Sequence, residues 1–130
     1  MLIIFVILPN EGLNMATKEE VQSFLQAFRQ KMEIWGIRCR DDREKNTQAL
    51  FDLEINSLQR NSVIDELLIT DYSEGPQTDA LNAAAPLWVF GKIVKGKMVY
   101  IKISTGKPNK QVTCISFHEA EHEMKFPFKQ

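Results

Sequence analysis

"LWVFGKIVKGKMVYIKISTGKPNKQVTCISF", residues 87–117, decides how the rest of this chain must fold. Apolar and polar side chains alternate through "KMVYIKIS" (97–104), and β-branched and aromatic residues dominate "LWVFGKIV" (87–94) and "QVTCISF" (111–117). A period of two with that composition marks strands, because successive side chains of a pleated backbone point to opposite faces. Lys95-Gly96 separates the first two runs and "TGKPNK" (105–110) the last two, both of them turn chemistries. The spacing predicts an antiparallel three-stranded meander. Val99, Ile101 and Ile103 then face the core from the middle strand, and Thr113, Ile115 and Phe117 from the last. Tyr100, Lys102, Cys114, Ser116 and His118 fall on the opposite face.

A sheet this small needs a cover for its apolar face, and the N-terminal half supplies helices. Thr17 and Glu20 form a capping box, and Val21, Phe24, Leu25, Phe28, Met32 and Trp35 recur at helical spacing until Gly36 offers a stop. "IRCRDDREKN" (37–46) breaks that period with dense charge and reads as a solvated loop, with arginines within reach of a ligand. Helix resumes from Thr47 to about Leu53 and from about Leu58 to Leu68, capped between by Asn56 or Ser57, with Leu58, Val63, Ile64, Leu67 and Leu68 as the apolar side. "DYSEGPQTDALNAAAP" (71–86) reads as a long connection, turning at Gly75-Pro76 and holding one short helical turn between Asp79 and Pro86. The expected fold is α+β: N-terminal helices packed on one face of a C-terminal three-stranded antiparallel sheet.

The 130 residues, 44% hydrophobic and 25% charged, suit a single globular domain. Residues 15–130 are expected to form it, with 1–14 as a dispensable extension, since "MATKEE" from Met15 reads as a natural start followed by a helix cap. Leu2 to Leu8 is apolar but only seven residues long, too short to span a bilayer, and it lacks the basic flank of a signal peptide. Cys39 and Cys114 are too few for a disulfide framework and lack metal-ligand spacing, so buried thiols in a reducing cytoplasm are expected.

His118-Glu119-Ala120-Glu121-His122 satisfies the H-E-x-x-H pattern of many zinc proteases. That chemistry requires a helix, where histidines four apart share one face. Here His118 ends a predicted strand, Pro127 follows, and no third ligand lies downstream. The chain is therefore expected to hold no metal, and a zinc hydrolase ranks behind two other readings.

Charge points elsewhere. Residues 1–79 carry eight basic and fourteen acidic side chains, whereas residues 80–118 carry six lysines and no acid. Lysines on an exposed sheet face suit phosphate contacts, although Lys95 and Lys97 also serve to keep sheet edges from pairing.

The order of helices followed by a meander, with "SVIDELLITDY", "LWVFGK", "VYIKI" and "ISF" in sequence, resembles the MqsR family of bacterial toxins across roughly residues 20–118. That resemblance implies a RelE-like fold and a metal-independent mRNA interferase, the toxin of a type II toxin-antitoxin system, neutralised by a separate antitoxin protein. The family's active-site tyrosine matches Tyr100, and its lysine after the last strand falls on His118. Its lysine before the sheet falls near Ser73 or Glu74, and its glutamine after the tryptophan falls on Val89, so those two functional positions differ.

The residues support such chemistry on their own terms. Cleavage of RNA by its 2′-hydroxyl needs a base, an acid for the leaving 5′-oxygen and positive charge beside the phosphorus. Imidazole, with an ordinary pKa of about 6.5, suits either proton role. His118 is the candidate acid or base, Tyr100 a phosphate or proton partner, and Lys102 the charge stabiliser. Lys92, Lys107 and Lys110 are candidate RNA contacts, and Trp88 a candidate base-stacking residue, although strand aromatics more commonly belong to the core. No cofactor is implied, and the partners are mRNA and an antitoxin. The alternative is a non-catalytic RNA- or protein-binding module on the same scaffold. If residues 1–14 are dispensable, a chain starting at Met15 will melt within a few degrees of the full one by circular dichroism; a large drop would show that Leu2–Leu8 packs into the fold.

Overall fold

The computed structural model of the chain describes residues 15–79 and 85–129. The proposed extension (1–14) and the helical turn expected after Asp79 fall outside the described residues, the latter wholly or in part. Among the described residues, three α-helices, α1 (Lys18–Trp35), α2 (Glu44–Leu53) and α3 (Ser57–Asp65), combine with five strands, β1 (Ile37–Cys39), β2 (Tyr72–Gln77), β3 (Leu87–Val94), β4 (Lys97–Ser104) and β5 (Val112–Glu119). The sheet runs β1-β5-β4-β3-β2, with β1 parallel to β5 and the other neighbours antiparallel. No helix among the described residues is long and apolar enough to cross a membrane.

The predicted meander is the middle of this sheet. Lys95 (φ 53°) and Gly96 (φ 82°) make the two-residue turn between β3 and β4 with both residues left-handed, the form that follows strand twist. The three-stranded expectation is corrected at both edges. "IRC", read as part of a charged loop, is β1: Gly36 (φ 85°) ends α1 and feeds the chain alongside Val112–Cys114. A three-residue strand is too short for alternation to be visible in sequence. "YSEGPQ", read as a turn, is the edge strand β2, irregular in register with β3 and holding a cis Gly75–Pro76 bond. Proline is tolerated there because an edge strand has N–H groups that need no partner strand.

The capping box of Thr17 and Glu20 forms on α1, and Val21, Phe24, Leu25 and Phe28 are buried against the sheet. Trp35, expected in that stripe, is 46% exposed at the helix end. Helix α2 starts earlier than predicted, at Glu44, and α3 is capped by Asn56 with Gln59 as the reciprocal partner. Helix α3 stops at Asp65, so Ile64 and Leu67 are buried while Leu58 and Leu68 stay exposed. Arg29 of α1 donates to the Asp65 and Leu67 carbonyls and ties the end of α3 back to α1.

Val99, Ile101 and Ile103 are buried as expected, but β5 departs from simple alternation. Lys102 pairs with Ser116 and Ile103 with Cys114, which leaves Ile115 as the extra residue of a bulge. Before the bulge, Val112 and Cys114 face the core, so the assignment of Cys114 to the open face and of Thr113 and Ile115 to the core is reversed. After it, Phe117 is inward and Ser116 and His118 lie opposite Lys102 and Tyr100. Beyond Cys114, β5 has no strand on its β1 side among the described residues, and α2 takes that place. The Asn46 side-chain amide, 1% exposed, donates to the carbonyls of Ile115 and Arg40 (2.9 Å each) and accepts from the Phe117 N–H (3.0 Å). One side chain thus satisfies backbone groups that a neighbouring strand would otherwise meet. Asn46→Ala should lower the unfolding free energy in urea by about 2–4 kcal/mol, since several buried polar groups lose their partners; Gln48→Ala, on the exposed side of α2, should change it by less than about 0.5 kcal/mol.

Candidate active site on the open face of the sheet

Tyr100 and His118 are direct cross-strand neighbours on β4 and β5. Their rings stack with centroids 5.4 Å apart and planes 16° from parallel. Lys102, two residues along β4, places its ammonium 5.9 Å from the Tyr100 ring centre. The structure therefore brings the three predicted catalytic residues together. They line a groove of about 600 Å³ on the face that α1 leaves uncovered.

Each wall of the groove has a local cause. On one side, the start of α2 supplies Arg43 and Lys45; Arg43 donates to the Ile115 carbonyl (3.1 Å) and to the Ser116 hydroxyl (3.3 Å), so it is anchored at the bulge. Lys45 pairs with Glu121 at 2.6 Å. On the other side, the chain after β5 folds back over the sheet. The Ser73 hydroxyl of β2 donates to the Lys125 carbonyl (2.7 Å), and Phe128 stacks on Tyr72 with centroids 5.5 Å apart. Gly91 of β3 makes room for this return: a Cβ there would lie 2.7 Å from the Phe126 ring and 2.8 Å from the Met124 sulfur. Periodicity carries no sign of this tail, because it forms no helix or strand and is held by contacts distant in sequence.

The His118 Nδ1 lies 3.0 Å from the carbonyl of Glu119. A carbonyl only accepts, so this contact puts the proton on Nδ1 and leaves Nε2 of the neutral ring as the basic nitrogen. The Tyr100 phenol is pushed above its ordinary pKa by burial and then by the charge of Glu74, against a smaller pull from Arg43. It consequently remains protonated through the neutral range and available as a hydrogen-bond donor.

Four candidate RNA contacts lie elsewhere. Lys92 and Trp88 are on the helix-covered face, opposite Val99 and Ile103. Lys92 binds Asp71 at 3.1 Å, and Trp88 stacks on Phe24 of α1 with centroids 4.5 Å apart; both are thus removed from the Tyr100 groove, because β3 residues of that parity point to the core. Lys107 and Lys110 border a second groove on the open face with Arg38, Arg40, Thr113 and Ile115. Lys31 of α1 holds their loop by donating to the Thr105 and Lys107 carbonyls. Arg40 is engaged by Asp42, whose carboxyl the arginine holds down to about 2.

Ser116 lines the groove on the face expected for it, whereas sequence reading missed Arg43, Lys45 and His122 as groove residues. The arginines of 37–46 were visible as charge available to a ligand, but their direction depends on β1. Of the positions where the family pattern differs, Ser73 and Glu74 line the groove, while Val89 is fully buried beside Lys102. The H-E-x-x-H segment forms no helix: His118 and Glu119 finish β5, and Glu121 and His122 lie in a bend. Compared with known proteins, the chain matches no family, no curated protein and no solved structure.

The two tyrosines of the chain are Tyr72 and Tyr100, and burial raises both pKa values. Each native phenol therefore holds its proton more tightly than the unfolded one. The stability this contributes is complete below about pH 10 and is lost as pH rises through the folded pKa values. Ultraviolet titration should find both phenols ionising above about pH 10 in the native protein and near 10 in denaturant; a normal native midpoint for the phenol lost in Tyr100→Phe would contradict the burial.

Proposed function

We propose that this protein is a cytoplasmic toxin of the MqsR kind, with a RelE-like fold, that cleaves mRNA without a metal ion. The observation that carries the proposal is the convergence of an imidazole, a phenol and an ammonium, stacked and adjacent, in an open groove edged by Arg43 and Lys45. These groups match the demands of phosphodiester transesterification. His118 Nε2 takes the proton of the 2′-hydroxyl as that oxygen attacks phosphorus, and Lys102 stabilises the charge gathering on the phosphoryl oxygens. Tyr100 donates a hydrogen bond to the same group. The 5′-oxygen leaves with a proton drawn from solvent water, the proton held on His118 returns to solvent, and the products are a 2′,3′-cyclic phosphate and a 5′-hydroxyl.

The second groove, with Arg38, Lys107 and Lys110, extends positive charge across the same face, as a substrate with several phosphates requires. Glu74, Glu121 and Glu123 also line the first groove and moderate its attraction for RNA. An antitoxin would act by covering this open face. A non-catalytic binding module shares every feature except the need for His118.

The test is cleavage of a defined mRNA by the purified protein in excess chelator, alongside growth of cells expressing it. The parent is expected to produce cyclic-phosphate ends and to arrest growth. His118→Ala should cut the rate by about 10²-fold or more, the usual cost of losing a proton-transfer group. His122→Ala and Glu119→Gln should have much smaller effects, because it is the His118 ring that stacks on Tyr100. If the parent leaves RNA intact and growth unchanged, the binding module replaces the enzyme; if chelation abolishes cleavage together with both of those variants, the zinc reading does.

A further inference from the structure

Cys39 and Cys114 are in-register partners on the parallel pair β1 and β5. Both belong to the helix-covered side: Cys114 is fully buried in the core, and Cys39 is half-buried against it. Neighbouring strands lie about 4.8 Å apart, inside the roughly 4.4–6.8 Å over which Cα atoms can be joined by a disulfide.

A cation faces the pair. Arg60 of α3 is 4% exposed, bound to Asp41 at 2.7 Å, and its Nε is buried without a hydrogen-bond partner. The guanidinium favours thiolate on both cysteines and the Asp41 carboxylate opposes it. For Cys39 the outcome is a pKa below the ordinary thiol range, through a hydrogen bond with Cys114 and the Arg60 charge against the cost of burial. Cys114 goes the other way, raised well above that range by its bond to Cys39 and by burial. The Cys114 sulfur also lies 3.4 Å from the Ser116 carbonyl, next to the bulge. One thiol is more accessible and more acidic; the other is enclosed and protonated beside it.

We propose that Cys39 and Cys114 form an oxidisable dithiol that reacts with hydroperoxide, Cys39 attacking and Cys114 resolving, to close a disulfide between β1 and β5. The Cys39 thiolate attacks one peroxide oxygen, the O–O bond breaks, and the product is Cys39 sulfenic acid with hydroxide, which takes a proton to leave as water. The Cys114 sulfur then attacks the Cys39 sulfur, forming the S–S bond and releasing a second water. Two thiols are oxidised and one peroxide is reduced. The bond would tie β1 to β5 immediately before the bulge that orients Ser116 and His118. In-register parallel neighbours keep their Cβ atoms wider apart than the roughly 3.8 Å of a relaxed disulfide, so this one strains the sheet locally and belongs to the readily reduced class.

The experiment exposes the full chain to stoichiometric hydrogen peroxide and follows thiol loss, intact mass and non-reducing peptide maps. It needs no RNA and stands apart from the reading of the groove. The expected result is joint loss of both thiols and of two hydrogens in mass, a Cys39–Cys114 cross-linked peptide, and full recovery with dithiothreitol. Cys114→Ser should stop at a Cys39 sulfenic acid that a dione probe captures, and Cys39→Ser should leave Cys114 reacting at least about 10-fold more slowly, as a buried protonated thiol does. Persistence of both thiols, dimers in place of the internal bridge, or unchanged reactivity of Cys114 in Cys39→Ser would overturn the proposal.

Discussion

The amide of Asn46 is the contact on which the open face depends. A bulged strand without a neighbour leaves backbone groups exposed at its edge, and burial makes each of them costly to leave unpaired. By bonding to Ile115 and Phe117, and to Arg40 at the end of β1, Asn46 serves in place of a strand. It also places α2 against β5, which brings Arg43 and Lys45 to the edge of the groove. The same bulge turns Cys114 into the core and His118 outward. A β5 of unbroken alternation would send both side chains to one face, and the imidazole would lose its position beside Tyr100.

Each layer of the fold is built by a different kind of force. The helix side is held by apolar burial, with Phe28, Phe24, Phe90 and Tyr72 linked in a chain of ring contacts and Trp88 stacked on Phe24. The open side is held by polar ties to backbone: Arg43 to Ile115, Ser73 to Lys125, Lys31 to the β4–β5 loop. Only the second kind leaves side chains free for a ligand, since a packed apolar face has no room for one. That division explains why Lys92, although it belongs to the lysine-rich segment 80–118, lies away from the Tyr100 groove. It sits among core residues and is neutralised by Asp71, whereas Lys102, of opposite parity, faces the groove.

Buried charge follows a similar logic on the other side of β5. Among the described residues, Arg60 is enclosed with the Asp41 carboxylate as its ion-pair partner and one unpaired N–H. An enclosed cation is tolerated when its surroundings supply negative charge. Asp41 supplies part of it, and a thiolate on Cys39 would supply more.

By itself the sequence determined the elements whose signals are local. The capping box at Thr17, a cap at Asn56 or Ser57, the stripe of α1, the Lys95-Gly96 turn and the three long strands follow from residue preferences and periods that act over a few positions. Tyr100 and Lys102 were legible as groove residues because they share a parity on one strand. Tertiary structure alone decided the rest. Strands β1 and β2 are too short or too irregular to show a period and exist because a partner strand accepts them. The phase of β5 is set by a bulge that Asn46 stabilises from outside the strand. Lys92 and Trp88 could not be assigned to a face until β3 was in register with β4, because shifting a strand by one residue exchanges its two faces. The walls of the groove, from Arg43 to the returning tail, join residues some 70 positions apart, Arg43 and Ser116 among them; no local preference encodes such a pairing, and only the closed sheet brings them together.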